Sequence, residues 1–166
     1  NLFNVAFLAV GNAIGIIIGQ LLGAGKTEEA VDTDRKLIAF SIMVGVASGI
    51  LLAFLAPIFP RLYNTTEGAK RIAMEMIFAH ALCLPLFAFK NATYFTLRSG
   101  GKIWVTIIFD SAFLWAVSVP IAFIISRFTA FSVVFIYLSV QAGDILKCIL
   151  GFILVKKRIW VKNIVD

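Results

Sequence analysis

The chain has 166 residues, of which 61% are apolar and 14% are charged, and its mean hydropathy is +0.98. Soluble domains are roughly half apolar and about a quarter charged, so the composition excludes an ordinary soluble domain. A membrane-spanning helix needs about 20 mainly apolar residues, and five stretches qualify: residues 2–22, 37–59, 72–97, 103–125 and 131–155. We therefore predict an all-α, polytopic transmembrane bundle. The short connections leave no room for a catalytic domain, so we predict no enzyme and no cofactor.

The formal net charge is +6, and the positions of the basic residues distinguish a membrane partner from a nucleic-acid partner. Basic residues in short loops mark the cytoplasmic side of a membrane protein. The first loop, the third loop and the C-terminus carry nine: Lys26, Arg35, Lys36, Arg98, Lys102, Lys156, Lys157, Arg158 and Lys162. The other side carries four: Arg61, Lys70, Arg71 and Arg127. This asymmetry predicts a cytoplasmic C-terminus and a lipid bilayer as the partner, with no nucleic acid.

The first span contains a glycine at every fourth position: Gly11, Gly15, Gly19 and Gly23. Small residues with this period let the backbone of a neighbouring helix approach closely. We therefore predict that these glycines form a helix-packing stripe. After the span, Thr27 is a suitable N-cap and is followed by Glu28 and Glu29, a pattern typical of a helix start.

A proline lies halfway along the third span. Pro85 cannot donate a backbone hydrogen bond to the carbonyl of Ala81, so we predict a kink at this position. Broken or bent spans are common where transporters bind or gate their substrates. A packed kink without any functional role is equally compatible with the sequence.

Four ionisable residues lie at membrane depth, where charge is costly and therefore marks a functional candidate. Lys90, Asp110, Asp144 and Lys147 lie roughly 11 to 17 Å from the inner ends of their helices at about 1.5 Å per residue. We predict a charge-balanced network facing the interior of the bundle, with Asn91 beside it. A static set of salt bridges, a pathway for substrate or coupling ion, and lipid-facing lysines all remain open.

The lone histidine, His80, has no second metal ligand at helical spacing. We expect it to pack or to hydrogen-bond to a neighbouring helix, and we predict no metal site.

The order of several short motifs resembles one transporter family. The motifs are GQLLGAG at residues 19–25, EEA at 28–30, RK at 35–36, LRSGGK at 97–102 and KKRIWVKNIV at 156–165. Together they resemble the multidrug and toxic compound extrusion family. The resemblance implies twelve helices in two lobes and export of drugs or organic cations in exchange for Na⁺ or H⁺. It also implies that residues 1–166 are part of the C-terminal lobe, without its first helix, and that the N-terminal lobe of the same protein is a partner.

The chain departs from this family at one position. Many members carry an acid in the tenth helix about three turns before the arginine that matches Arg98, and here Phe87 occupies that level.

The expected location is a bacterial inner membrane. A flippase for lipid-linked saccharides, built on a related bundle, and a non-transporting membrane subunit remain alternatives.

Overall fold

The computed structural model describes residues 2–101, 103–128 and 132–161. Its α-helices are α1 (Leu2–Gly23), α2 (Thr27–Leu55), α3 (Glu67–Ser99), α4 (Ile103–Ile107), α5 (Val119–Phe128) and α6 (Val133–Lys156). A 3₁₀ turn (Phe59–Leu62) follows α2, and two π-helical turns (Ile108–Ala112 and Leu114–Ser118) lie between α4 and α5. The described residues contain no β-strand, which confirms the all-α prediction.

Five helical segments are long and apolar enough to cross a membrane. The surfaces of these segments expose large apolar side chains, including Phe40, Met43, Phe54 and Leu82. Water would disfavour such a surface, whereas hydrocarbon accepts it. The chain is therefore a multi-pass membrane protein. The fourth segment contains Pro120 two residues after the second π-helical turn, where the missing N–H of proline removes one backbone hydrogen bond.

Helix α3 is the central element, and it packs against α1, α2 and α6. The main apolar cluster joins three residues of α1 (Ile14, Ile18 and Leu22) with Phe95 of α3 and Trp160 of the C-terminal tail. These α1 positions recur at intervals of four residues and are fully buried. Because α3 contacts three other helices, its side chains are the ones that any site inside this bundle must use.

The first loop, the α3–α4 turn and the C-terminal tail lie at one end of the bundle. Arg158 donates a hydrogen bond to Glu28 of α2 at 2.7 Å, and the backbone of Trp160 packs against Gly100. The sequence analysis assigns these three segments to the same side of the membrane, and the contacts are consistent with that assignment.

The start of α2 differs from its prediction in one detail. The helix begins at Thr27, but Lys26 occupies the N-cap position, and no side chain caps it. The N–H groups of Gly25 and Lys26 bond to the carbonyls of Leu22 and Leu21, and Gly25 has a φ of +74°. These bonds form a Schellman motif that ends α1, and Lys26, the residue after Gly25, is already the N-cap of α2.

Two of the four glycines in the predicted α1 stripe have a neighbour among the described residues, and packing of the other two stays a prediction. Gly11 and Gly15 face the ring of Phe95, but nothing lies within 4 Å of a Cβ built on Gly19 or Gly23. At 3.6 residues per turn, each step of four residues rotates the position by about 40°. The stripe therefore turns away from α3 before α1 ends.

Between two helices, the closest backbone approach at a described glycine is that of α2 and α3, at Gly45 and Gly49. A Cβ on Gly49 would lie 2.7 Å from the carbonyl oxygen of Ala81, and one on Gly45 would lie 3.0 Å from the Cα of Pro85. Pro85 lies inside the continuous helix α3 and forms part of this contact. The predicted kink at Pro85 stays a prediction.

We predict that Gly49→Ala destabilises the bundle by about 1 to 3 kcal/mol, because the added methyl group meets a backbone carbonyl that cannot rotate away. Gly19→Ala is the matched control. Its methyl group meets no described atom, and alanine favours the helix by about 0.5 to 1 kcal/mol. The measurement is the midpoint of SDS-induced unfolding. Equal midpoints for the two variants would contradict the assignment of Gly49 as the tight contact.

Candidate functional site

An ion pair joins two residues of the predicted network on different helices, Lys90 of α3 and Asp144 of α6. Lys90 Nζ donates to Asp144 Oδ2 at 2.6 Å. Both side chains are largely buried, with 25% and 12% of their surfaces exposed. A short, charge-assisted bond of this kind fixes the register of α6 on α3.

Two further charges extend the pair into a chain of alternating sign. Lys147 Nζ lies 4.0 Å from Asp144 Oδ1 and 3.4 Å from Asp110 Oδ1. Lys147 is 4% exposed, whereas the Asp110 side chain is 64% exposed and belongs to the first π-helical turn. The structure thus brings all four predicted residues together, in the order Asp110, Lys147, Asp144, Lys90.

Each lysine of the network also faces an aromatic ring. Lys90 Nζ lies 4.8 Å from the centre of the Phe87 ring, and Lys147 Nζ lies 5.1 Å from that of Phe113. A ring face attracts a cation electrostatically, and more so when both are removed from water. Phe87 therefore contacts the network from the level where many members of the resembled family carry an acid.

A cavity of about 340 Å³ borders Lys90 on the side of α1. Asn91 lines it together with His80 and Phe87. A cavity of this size, with Lys90, Asn91 and His80 among its lining residues, can hold water or a small part of a ligand. Lys90 is accordingly the network residue that such a ligand would meet first from this side.

His80 adds a polar connection between α3 and α6. His80 Nδ1 and the Tyr137 hydroxyl are 2.7 Å apart, and Gln141 Nε2 donates to the same hydroxyl at 2.9 Å. This confirms the expected hydrogen bond to a neighbouring helix. No group of three His, Cys, Asp or Glu residues is placed to hold a metal in the part of the chain that the structure describes.

The sequence analysis missed one buried acid, Asp34 of α2. Asp34 is 1% exposed, and its Oδ1 accepts a hydrogen bond from the Thr96 hydroxyl of α3 at 2.6 Å. In the sequence, Asp34 lies between Asp32 and the basic pair Arg35 and Lys36. It therefore looks like one of several solvated charges at a helix end. The available signal is its spacing, because Asp34 continues the stripe that includes Ala30, Ser41, Gly45 and Gly49.

We predict that Lys90→Met destabilises the protein by about 3 kcal/mol, because the buried Asp144 loses its partner at 2.6 Å and keeps only the more distant Lys147 at 4.0 Å. The double variant Lys90→Met/Asp144→Leu should recover most of this loss, since it removes both charges. Lys36→Met is the control: Lys36 pairs with Asp32 at an exposed site, where a bond is worth about 0 to 1 kcal/mol. The measurement is again SDS-induced unfolding, and an equal loss for Lys90→Met and Lys36→Met would contradict the prediction.

Comparison with known proteins identifies the family. The sequence model of the MatE family matches residues 1–124. The probable multidrug resistance protein YoeA of Bacillus subtilis (strain 168) is 24% identical over 82% of this chain and 29% of its own length. The uncharacterized transporter YisQ of the same organism is 19% identical, over 93% of this chain and 34% of its own. The multidrug and toxin extrusion protein 1 of Xenopus tropicalis is 23% identical, over 87% and 25%.

No solved structure matches the chain significantly. The chain spans about a quarter to a third of the length of these relatives. The family match includes Lys90, Asn91 and Asp110 and ends before α6, which carries Asp144 and Lys147. Because the match covers well over half of the sequence, this chain belongs to the MatE family.

Proposed function

We propose that this chain forms part of a secondary active exporter, which moves organic compounds across a membrane in exchange for Na⁺ or H⁺. Membership of the MatE family and relatives named as multidrug resistance and extrusion proteins support this proposal. The observation that carries it is the alternating charge chain from Asp110 to Lys90. Ionisable residues inside spans are rare unless they serve transport or pairing.

The geometry suggests how a cation could act on this site. The Asp144 carboxylate is held between Lys90 and Lys147, at 2.6 Å and 4.0 Å. A cation or proton that reaches Asp144 competes with Lys90 and weakens the link between α3 and α6. An antiporter needs such a competition, because exchange requires that one ligand disfavour the state that binds the other.

The remaining parts of the proposal concern the whole protein. The cavity beside Lys90 is lined by Phe7, Phe87 and Asn91, and aromatic rings of this kind suit flat organic cations. We place the protein in a bacterial inner membrane with the end that contains Arg158 and Gly100 in the cytoplasm, following the loop charges. An N-terminal lobe of the same protein would supply the other wall of the central cavity, and rocking between the lobes would alternate access.

The test is ion-coupled transport by the full-length protein in lipid vesicles. We expect an imposed Na⁺ or H⁺ gradient to drive accumulation of a planar fluorescent organic cation, with matching movement of the coupling ion. Lys90→Met/Asp144→Leu should slow this exchange by about tenfold or more, since a lost interaction of about 1.4 kcal/mol already has that effect on a rate. Lys36→Met, at an exposed ion pair, should transport normally.

Normal exchange by Lys90→Met/Asp144→Leu would show that the charge chain is only structural. Absence of substrate-dependent ion movement in the unmodified protein would contradict the exporter itself and would favour a flippase or a non-transporting subunit.

A further inference from the structure

The Thr96 hydroxyl lies within hydrogen-bonding distance of two acceptors, one of which belongs to Asp34. Thr96 Oγ1 lies 2.6 Å from Asp34 Oδ1 and 3.0 Å from the carbonyl oxygen of Ala92. A hydroxyl group has one proton to donate, so it can serve only one of these two acceptors. A proton on Asp34 Oδ1 completes the set, because Asp34 then donates to Thr96, and Thr96 donates to Ala92.

The second carboxylate oxygen supports the same assignment. Asp34 Oδ2 is buried and has no hydrogen-bond partner among the described residues. Without a protein donor for this oxygen, an ionised carboxylate is more costly to bury than a neutral acid, whose carbonyl oxygen is a weaker acceptor. The neutral acid is therefore the form that this environment accommodates.

The charged residues around Asp34 do not neutralise it through direct contact. Helix α1 contains no charged residue. On α3, Arg98 lies two residues after Thr96 but is exposed, and Lys90 is bonded to Asp144. Arg35, Lys156 and Arg158 line the same cavity as Asp34. Among the described residues, however, no cation lies within 4.0 Å of the Asp34 oxygens, and Arg158 is paired with Glu28.

That cavity gives a proton a route to the site. It has a volume of about 420 Å³, lies between α2, α3 and α6, and is bordered by Thr93, Lys156 and Trp160 near the C-terminal end of the bundle. A water molecule takes up about 30 Å³ of liquid volume, so several waters fit and can deliver or accept a proton.

We propose that Asp34 and Thr96 form a proton-binding site. A proton from water in the cavity binds the Asp34 carboxylate, and the Thr96 hydroxyl turns from Asp34 to the carbonyl of Ala92. Release reverses both steps and leaves the site with one negative charge. Proton binding therefore converts an ionic contact between α2 and α3 into a neutral one. A role of this site in coupling rests on the exchange proposed above, whereas proton binding itself does not.

Difference infrared spectroscopy on the full-length protein in lipid bilayers tests the proposal. In the spectrum at mildly acidic pH minus that at alkaline pH, we expect the carbonyl stretch of a protonated carboxylic acid that disappears in Asp34→Asn and persists in Asp32→Asn, its control two residues away on the exposed surface. The band should shift to lower frequency on transfer to D₂O, because the cavity allows exchange. It should move to higher frequency in Thr96→Val and return in Thr96→Ser, since only serine restores the hydroxyl acceptor.

Each outcome bears on the proposal, even if Asp34→Asn fails to fold, because the two Thr96 variants retain the acid. A band that is insensitive to Asp34→Asn, or one that is unchanged in Thr96→Val, would overturn the assignment. A band that never shifts in D₂O would overturn the route through the cavity. None of these readouts depends on transport, so failure of the exporter proposal and failure of this one are distinguishable.

Discussion

The cost of placing charge inside a membrane is the constraint on which this bundle depends. Hydrocarbon cannot solvate an ion, so charges within spans must be paired or must face water. The chain meets this requirement at α3, where Lys90 reaches Asp144 of α6. Lys147 is 4% exposed and lies between two carboxylates, whereas Asp110, at the end of the series, is mostly exposed. The series therefore runs from buried charges to an exposed carboxylate.

A second constraint operates on the other side of α3, where α2 packs through small residues. Gly45 and Gly49 allow the two backbones to meet, and the Ser41 hydroxyl donates to the carbonyl of Ala88 at 3.1 Å in the same stripe. Close packing of this kind favours short polar contacts, because each hydroxyl finds a backbone acceptor within reach. Asp34 continues this stripe, and it is held at the end of the interface where α3 carries Thr96.

Sequence reasoning could predict the membrane class, the helical fold and the four charges that meet, because hydropathy and the scarcity of charge in spans are strong signals. It could not predict which glycines pack. The glycine repeat of α1 is longer than that of α2, which contains Gly45 and Gly49. Whether a glycine contacts a neighbouring helix depends on the rotation of its own helix about the axis, and a period of four does not fix that rotation. Asp34 was missed for a similar reason: it lies among the charges of a helix end, and its burial depends on α3, more than 60 residues later in the chain.

The two polar sites of α3 differ in what they can bind. In the chain from Asp110 to Lys90 every charge has a partner of opposite sign, so a ligand must displace a lysine to enter. Asp34 has no cation within 4.0 Å among the described residues, so a proton can bind it without displacing a lysine, and only the Thr96 hydroxyl turns to the carbonyl of Ala92. Lys90 and Thr96 are six residues apart, roughly 9 Å along one helix axis. A movement of α3 that loosens Lys90 from Asp144 therefore also changes the distance from Thr96 to Asp34, and this shared helix is the physical means by which the two sites can influence each other.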